Sequence, residues 1–346
     1  MSDVPESDRL DDTPHPRETN ALIGHAEAER TLVEAYRSGR IHHAWILGGP
    51  EGIGKATLAY RMAKYVLCHP DPTRAPEGDT LATDPAATAA RQLVAQSHPD
   101  LLVLRRTWNS ERKTFFGNIR VEDVRRVGGF FGSTAAFGGW RIAIVDAADD
   151  LQREGANALL KVLEEPPAKA LFLIIAHQPG RLLPTIRSRC RRLTFEALSP
   201  TDAVAAARIA RPDLPVEQLT DAARLADGSV RLTLSLAQGE GIAVHQALSA
   251  LLARLPALDV ALAHQFAERM SNKAGEESFA LFRTFLDDWL HQRILIEAQS
   301  QPADRLARWA EVWEKARDAA RDVEVFNLDR KPYVLSTLSM LAAASR

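Results

Sequence analysis

The sequence predicts an α/β domain built on a parallel sheet, then a small helical unit and an all-helical C-terminal region. Three observations predict it. Short apolar runs alternate with amphipathic helical stretches as far as about Phe195. A glycine-rich loop lies between the first of those runs and the helix after it. Beyond Pro200 the strand-like runs vanish and alanine-rich helical patterns take over. With 346 residues the chain exceeds one ordinary core, and 46% hydrophobic with 25% charged residues is the composition of a globular protein. The formal net charge of -2 argues against coating nucleic acid through bulk charge and leaves room for a local basic face. Cys68 and Cys190 are the only cysteines, which excludes a disulfide framework and a four-cysteine zinc site and fits a reducing cytoplasm. No apolar run approaches the ~20 residues of a membrane span, so no membrane association is expected.

Residues 1–19 are acidic, proline-rich and free of any apolar stretch. They read as a disordered tail without signal-peptide character. Helical spacing follows from Ala21 to Arg40, with Ala28, Leu32, Val33 and Tyr36 on one face. Ala44–Gly48 (AWILG) suits a buried strand, and the loop GPEGIGKAT spans Gly49–Thr57. The next helix places Leu58, Met62, Ala63, Val66 and Leu67 on one stripe. Scattered prolines mark residues 69–99 as a surface insertion with a short helix at Ala86–Ala95. Leu101–Leu104 is a second apolar run, and Ile119–Phe131 reads as a helix ending at Gly128 and Gly129. Trp140–Asp146 (WRIAIVD) is nearly all apolar, as strands buried on both faces are, and ends on a carboxylate. A helix with Leu151, Ala158, Leu159, Val162 and Leu163 inward is stopped by Pro166 and Pro167. Leu171–Ala176 is a further buried strand and Arg192–Phe195 a last one. One helical unit spans roughly 200–240 and a second begins near 243.

Three stretches carry chemistry. In a phosphate-binding loop, glycines let backbone N–H groups curl around phosphate oxygens, a lysine reaches the β- and γ-phosphates, and a hydroxyl ligates magnesium. Gly49, Gly52, Gly54 and Lys55 stand in that register, but Ala56 occupies the hydroxyl position and Thr57 comes one residue later. On a helix one residue rotates a side chain by ~100°, so Thr57 is no simple substitute. A plain glycine turn before a helix is the alternative. Asp146 ends its strand where such proteins polarise magnesium-bound water, but Ala147 follows it and cannot take a proton. Asp149 and Asp150 read as helix-start residues. Arg187, Arg189, Arg191 and Arg192 alone would make a solvated basic face.

The order LIGH, HHAWILGGPEGIGKAT, SHPDLLVL, NALLKVLEEPP and LLPTIRSRC resembles the clamp-loader branch of the AAA+ ATPases over about residues 20–235. The resemblance implies a RecA-like domain at 20–198, with residues 69–99 as an insertion, a helical lid at 199–242 and a helical collar at 243–346. It also implies that Arg189, in Ser188-Arg189-Cys190, acts in trans as an arginine finger on a neighbouring subunit's ATP. In Gly228-Ser229-Val230-Arg231, it makes Arg231 a nucleotide sensor in cis; a helix start capped by Ser229 fits the same residues. Implied partners are gamma/tau-like motor subunits and a delta subunit of a pentamer, with the sliding clamp and primer-template DNA met through the assembly. Many members bind zinc through four cysteines, whereas here Cys68 alone remains; no zinc is expected, and Cys68 reads as a small buried hydrophobe.

The combined expectation is a nucleotide site that takes ATP or ADP with magnesium and hydrolyses it negligibly. The chain would then serve as a ring member donating Arg189. The alternatives are an active motor ATPase of the same ring and a small-molecule phosphotransferase. The second should keep the magnesium hydroxyl and has no use for NALLKVLEEPP.

Overall fold

A computed structural model of the chain describes residues 4–111, 113–271, 275–300, 303–326 and 328–346. The chain divides into two compact units, Met1–Leu234 and Ser235–Arg346.

The first unit is organised by five strands: β1 (Ala44–Gly48), β2 (Leu101–Leu104), β5 (Arg141–Val145), β6 (Ala170–Ala176) and β7 (Arg191–Thr194). A separate hairpin, β3 (Trp108–Asn109) with β4 (Thr114–Phe115), lies between β2 and β5 in the chain. The order across the main sheet is β2-β5-β6-β1-β7, and every pair in it is parallel. Register is set by pairs such as Ile46 with Ile174 and Ile144 with Leu173. All of β1 and all of β6 are buried, because helices cover both faces.

Alternate residues along each strand serve the two faces. Trp45, Leu47, Ile142, Ile144, Leu173 and Ile175 meet α1 (Ala26–Arg37), α2 (Lys55–Cys68) and α3 (Thr88–Val94). Ile46, Ala143, Val145, Phe172 and Ile174 meet α4 (Val121–Gly132), α5 (Arg153–Glu164) and α6 (Pro184–Arg189). The edge strand β7 carries arginines, and Arg191 lies over the Trp45 ring at 5.1 Å. Next come α7 (Pro200–Ala210) and α8 (Val216–Leu225), packed together through Leu198, Ala203 and Ala223. Helix α9 (Val230–Ala237) begins in this unit.

The second unit is helical among its described residues: α10 (Gly241–Leu252), α11 (Val260–Ser271), α12 (Glu276–Ser300), α13 (Ala303–Phe326) and α14 (Arg330–Ala344). Aromatic contacts tie it together, among them Phe266 on Phe282, Phe279 on Tyr333 and Trp289 on Trp309. No described helix is long and apolar enough to cross a membrane. The division at Leu234 falls inside the stretch 199–242 read as one helical unit.

Several sequence expectations are corrected. Residues 4–19 are not disordered: Thr13, His15 and Arg17 are buried, and Asp8 bonds to Arg105 and Tyr60. Charge that seemed to keep the segment in water is matched by partners from distant parts of the chain. The insertion 69–99 is more than surface, since Leu81 and Leu93 join the core against α2. Helix α2 therefore buries nearly every face, including Arg61 and Lys64, where a single stripe was expected. Helix α4 runs through Gly128 and Gly129 to Gly132. Buried packing by Val124, Val127 and Phe131 outweighs the cost of two glycines, about 1 kcal/mol each. Cys68 is half-buried, and burial pushes its thiol upward in pKa.

The insertion is anchored by Glu29 of α1, whose Oε1 accepts the Leu81 N–H at 2.7 Å and is paired with Arg61. Glu29→Ala would leave two interior donors unmatched. It should destabilise the protein by about 3–5 kcal/mol in urea unfolding. Glu34→Ala on the exposed face of the same helix should change stability by less than about 0.5 kcal/mol.

Candidate functional site

A parallel sheet delivers its strand ends to one edge, and ligands of open α/β sheets lie there. Beyond that edge lie Gly49 after β1, Arg105 after β2, Asp146 after β5 and His177 after β6. Gly49 N–H donates to Ala176 at 3.2 Å and Asp146 N–H to Leu104 at 2.8 Å, so the loop and the carboxylate leave a shared frame.

The loop is held from two sides. His25, the last residue of LIGH, bonds through Nε2 to the Ile53 carbonyl at 2.7 Å and packs edge-on against Phe195. From the other side, Val230 and Arg231 N–H groups donate to the Gly52 carbonyl at 2.9 and 3.3 Å. Gly52 has φ +76°, and a Cβ there would lie 2.3 Å from Ser229 Oγ and 2.6 Å from Arg231 Cβ. Only glycine allows this approach of the loop to the start of α9. Ser229 Oγ accepts from Leu232 N–H at 3.2 Å, so Ser229 caps α9.

The cleft above this loop is lined by Gly52, Gly54, Lys55, Thr57, Asp146 and Arg231, together with Ala56 and Ala147. Gly49 does not line it; its carbonyl accepts from Lys55. Lys55 is buried at the start of α2, and its Nζ donates to Gly49 O at 2.7 Å and to Pro50 O. Burial lowers its pKa to about 8, against the opposing pull of Glu51, Asp146 and Asp149. Arg231 Nε stands 3.8 Å from Glu51. Ala56 and Ala147 present no oxygen from their side chains; Lys55, Arg106 and Arg231 line the cleft together with the carboxylates of Asp8, Glu51, Asp146 and Asp150. Burial pushes the Asp146 carboxyl up to about 7, with Asp8 adding and Lys55 opposing. Because Asp146 still opens on the cleft, its energetic consequence is less than that shift implies.

Two features escape reasoning from sequence. His177 lines the cleft, its imidazole lowered in pKa by burial and then by Lys55. Its Nδ1 is buried without a hydrogen-bond partner among the described residues. Its one signal was its place directly after the Leu171–Ala176 run. Asp149 and Asp150 do not start the next helix: α5 begins at Arg153. Asp149 instead accepts N–H groups of His177 and Gln178 at 2.6 and 2.8 Å, and Asp150 pairs with Arg106 at 3.2 Å. Tertiary partners outcompete the helix start.

Arg189 does not line this cleft. It ends α6, donates to Thr185 O at 2.9 Å and pairs with Glu164 at 2.7 Å, about one-third exposed.

Comparison with known proteins adds a family. Residues 24–199 match the family described as "DNA polymerase III, delta subunit". A Pseudomonas aeruginosa protein named DNA polymerase III subunit delta' is 36% identical over 200 residues, covering 58% of this chain and 57% of the relative. The Escherichia coli K12 protein of that name is 33% identical over 222 residues, covering 64% and 62%. The E. coli K12 DNA polymerase III subunit tau is 30% identical over 272 residues, covering 75% and 39%. The matched stretch is thus less than two thirds of each relative's own length.

The raised carboxyl has a testable sign. Asp146 binds its proton more tightly folded than unfolded, so its contribution to stability falls as pH rises from 3.8 to about 7. Asp146→Asn removes that slope. Urea unfolding should show the variant gaining on the parent between pH 4.5 and pH 8; a constant difference would mean the carboxyl is not perturbed.

Proposed function

The chain belongs to the family described as DNA polymerase III, delta subunit, and on that premise we propose that it is the delta-prime type of subunit in a bacterial replicative clamp loader. In this reading it is a ring member of the AAA+ kind within the DNA polymerase III holoenzyme of the cytoplasm. It assembles with gamma/tau-like motor subunits and a delta subunit. Through that assembly it meets the sliding clamp and primer-template DNA; its own net charge of -2 gives it little general attraction for DNA.

One observation supports the proposal: Lys55 and Arg231 line one cleft with Ala56 and Ala147, which offer neither a hydroxyl for a metal nor a base. ATP or ADP, when bound, supplies a phosphate chain that the loop N–H groups, Lys55 and Arg231 would hold. Magnesium is poorly served, because Ala56 has no hydroxyl and Asp146 is partly neutralised near pH 7. Water activation lacks a base at Ala147. Each loss removes several kcal/mol of transition-state stabilisation, and about 1.4 kcal/mol is tenfold in rate. The site is therefore one that binds without turning over.

Arg189 would act on a neighbour instead. Its pairing with Glu164 is partly exposed, and such pairs contribute about 0–1 kcal/mol. That contact is cheap to exchange for a phosphate oxygen.

Two outcomes test this. Purified alone, the chain should release no phosphate from ATP above background, with Lys55→Ala indistinguishable from the parent. Steady release abolished by Lys55→Ala would make it a motor ATPase. In a reconstituted clamp loader, Arg189→Ala should leave ring assembly intact and slow ATP turnover, and Arg189→Lys should rescue it poorly because an ammonium lacks the planar fork. Unchanged turnover would reduce Arg189 to a surface charge.

A further inference from the structure

Helix α2 carries two buried lysines, Lys55 and Lys64. At ~100° per residue, their separation along the helix sends them to opposite sides of it. Lys55 opens on the cleft described above. Lys64 opens on a second cavity of about 290 Å³, the lower end of the range for small-molecule sites.

Lys64 differs from the buried arginines around it. Arg61 is paired with Glu29, and Arg17 with Glu6 at 2.8 Å. Lys64 Nζ donates to Asn20 Oδ1 at 3.1 Å, and among the described residues it has no carboxylate within ion-pair distance. An ammonium has three donors, so most of its capacity is unused. Burial, then the like charge of Arg61, holds its pKa below the usual lysine value. A buried cation without an opposite charge is costly, and an anion entering the cavity would offset that cost.

The rest of the cavity narrows the class of anion. Arg91 of α3 lines it from the exposed side, and Pro85, Ala90 and Val94 give it an apolar wall. Asn20 spends its carbonyl oxygen on Lys64 and keeps its amide N–H groups as donors. Glu18 stands at the rim, its Oε2 accepting the His15 N–H at 3.0 Å. Two cations against one carboxylate suit a monoanion. A phosphate dianion would meet Glu18 and the apolar wall.

We propose that this cavity binds a small organic acid, its carboxylate between Lys64 and Arg91 and its short apolar body against Pro85, Ala90 and Val94. A planar carboxylate can take a forked pair of bonds from Arg91 and a further one from Lys64. The ligand would join three separate parts of the chain: the segment before α1 through Asn20, α2 through Lys64, and the insertion through Arg91. Only the folded chain brings these together, so binding stabilises the first unit by mass action. Nothing in this site depends on a nucleotide at the other cleft.

Equilibrium dialysis of the full chain against labelled isobutyrate tests this, with isobutyramide as the uncharged isostere. The chain should retain isobutyrate at least tenfold more tightly than isobutyramide, and equimolar inorganic phosphate should not displace it. Lys64→Met and Arg91→Ala should each weaken isobutyrate binding roughly tenfold, the loss of one charge-assisted contact. Arg91 is exposed, so Arg91→Ala decides the matter if Lys64→Met does not fold. Equal retention of acid and amide, displacement by phosphate, unchanged retention in a folded variant, or no retention at all overturns the site.

Discussion

Parallel pairing of β1 between β6 and β7 is the constraint on which the rest depends. It buries Trp45, Ile46 and Leu47 on two faces at once, so covering helices are required on both sides. It also fixes chain direction. Every strand of the main sheet ends at one edge, and every loop beginning there is brought near the others without further design. The glycine loop after β1, Asp146 after β5 and His177 after β6 are neighbours for that reason alone. The hydrogen bonds from His25 to Ile53, and from Val230 and Arg231 to Gly52, then hold the loop between the first helix and the ninth.

Under the proposed function, that edge holds an anion rather than transforming it. Lys55 is deep enough to lose part of its basicity, yet loop carbonyls and nearby carboxylates support its charge. Asp146 opens on the cleft, and burial, then the charge of Asp8, raises its carboxyl above the usual carboxylate range. Two alanines remove the oxygens that would organise a metal and a water. Arg189, outside the cleft, is held by Thr185 and Glu164 at a half-open surface. Under the proposed function, binding and chemistry are thus divided between copies of related folds.

Much of this was legible in the sequence because the period of apolar residues reports strand and helix directly. The runs AWILG, RIAIV and ALFLIIA are strands within a residue or so of where they were expected. The glycine turn before α2 was legible because positive φ at Gly52 and Gly54 is a conformation that side chains disfavour. What misled was local composition. Acidic, proline-rich residues 4–19 resemble a solvated tail, but Asp8 and Glu6 find Arg105 and Arg17. Gly128 and Gly129 resemble a stop, but Phe131 packs on Phe172 at 4.5 Å and carries the helix onward. Asp149 resembles a helix start, but it is bound to the turn after β6.

By itself, the sequence determined the class of fold, the glycine spacing that leads into Lys55, and the alanines at positions 56 and 147. Those are properties of residue type and spacing, which a one-dimensional chain carries in full. Tertiary structure alone decided which charges meet. It placed His177 in the cleft, tied Arg189 to Glu164, and turned the acidic segment inward against Arg105 and Tyr60. Such pairings depend on strand order and on contacts separated by tens of residues, and no local pattern encodes them.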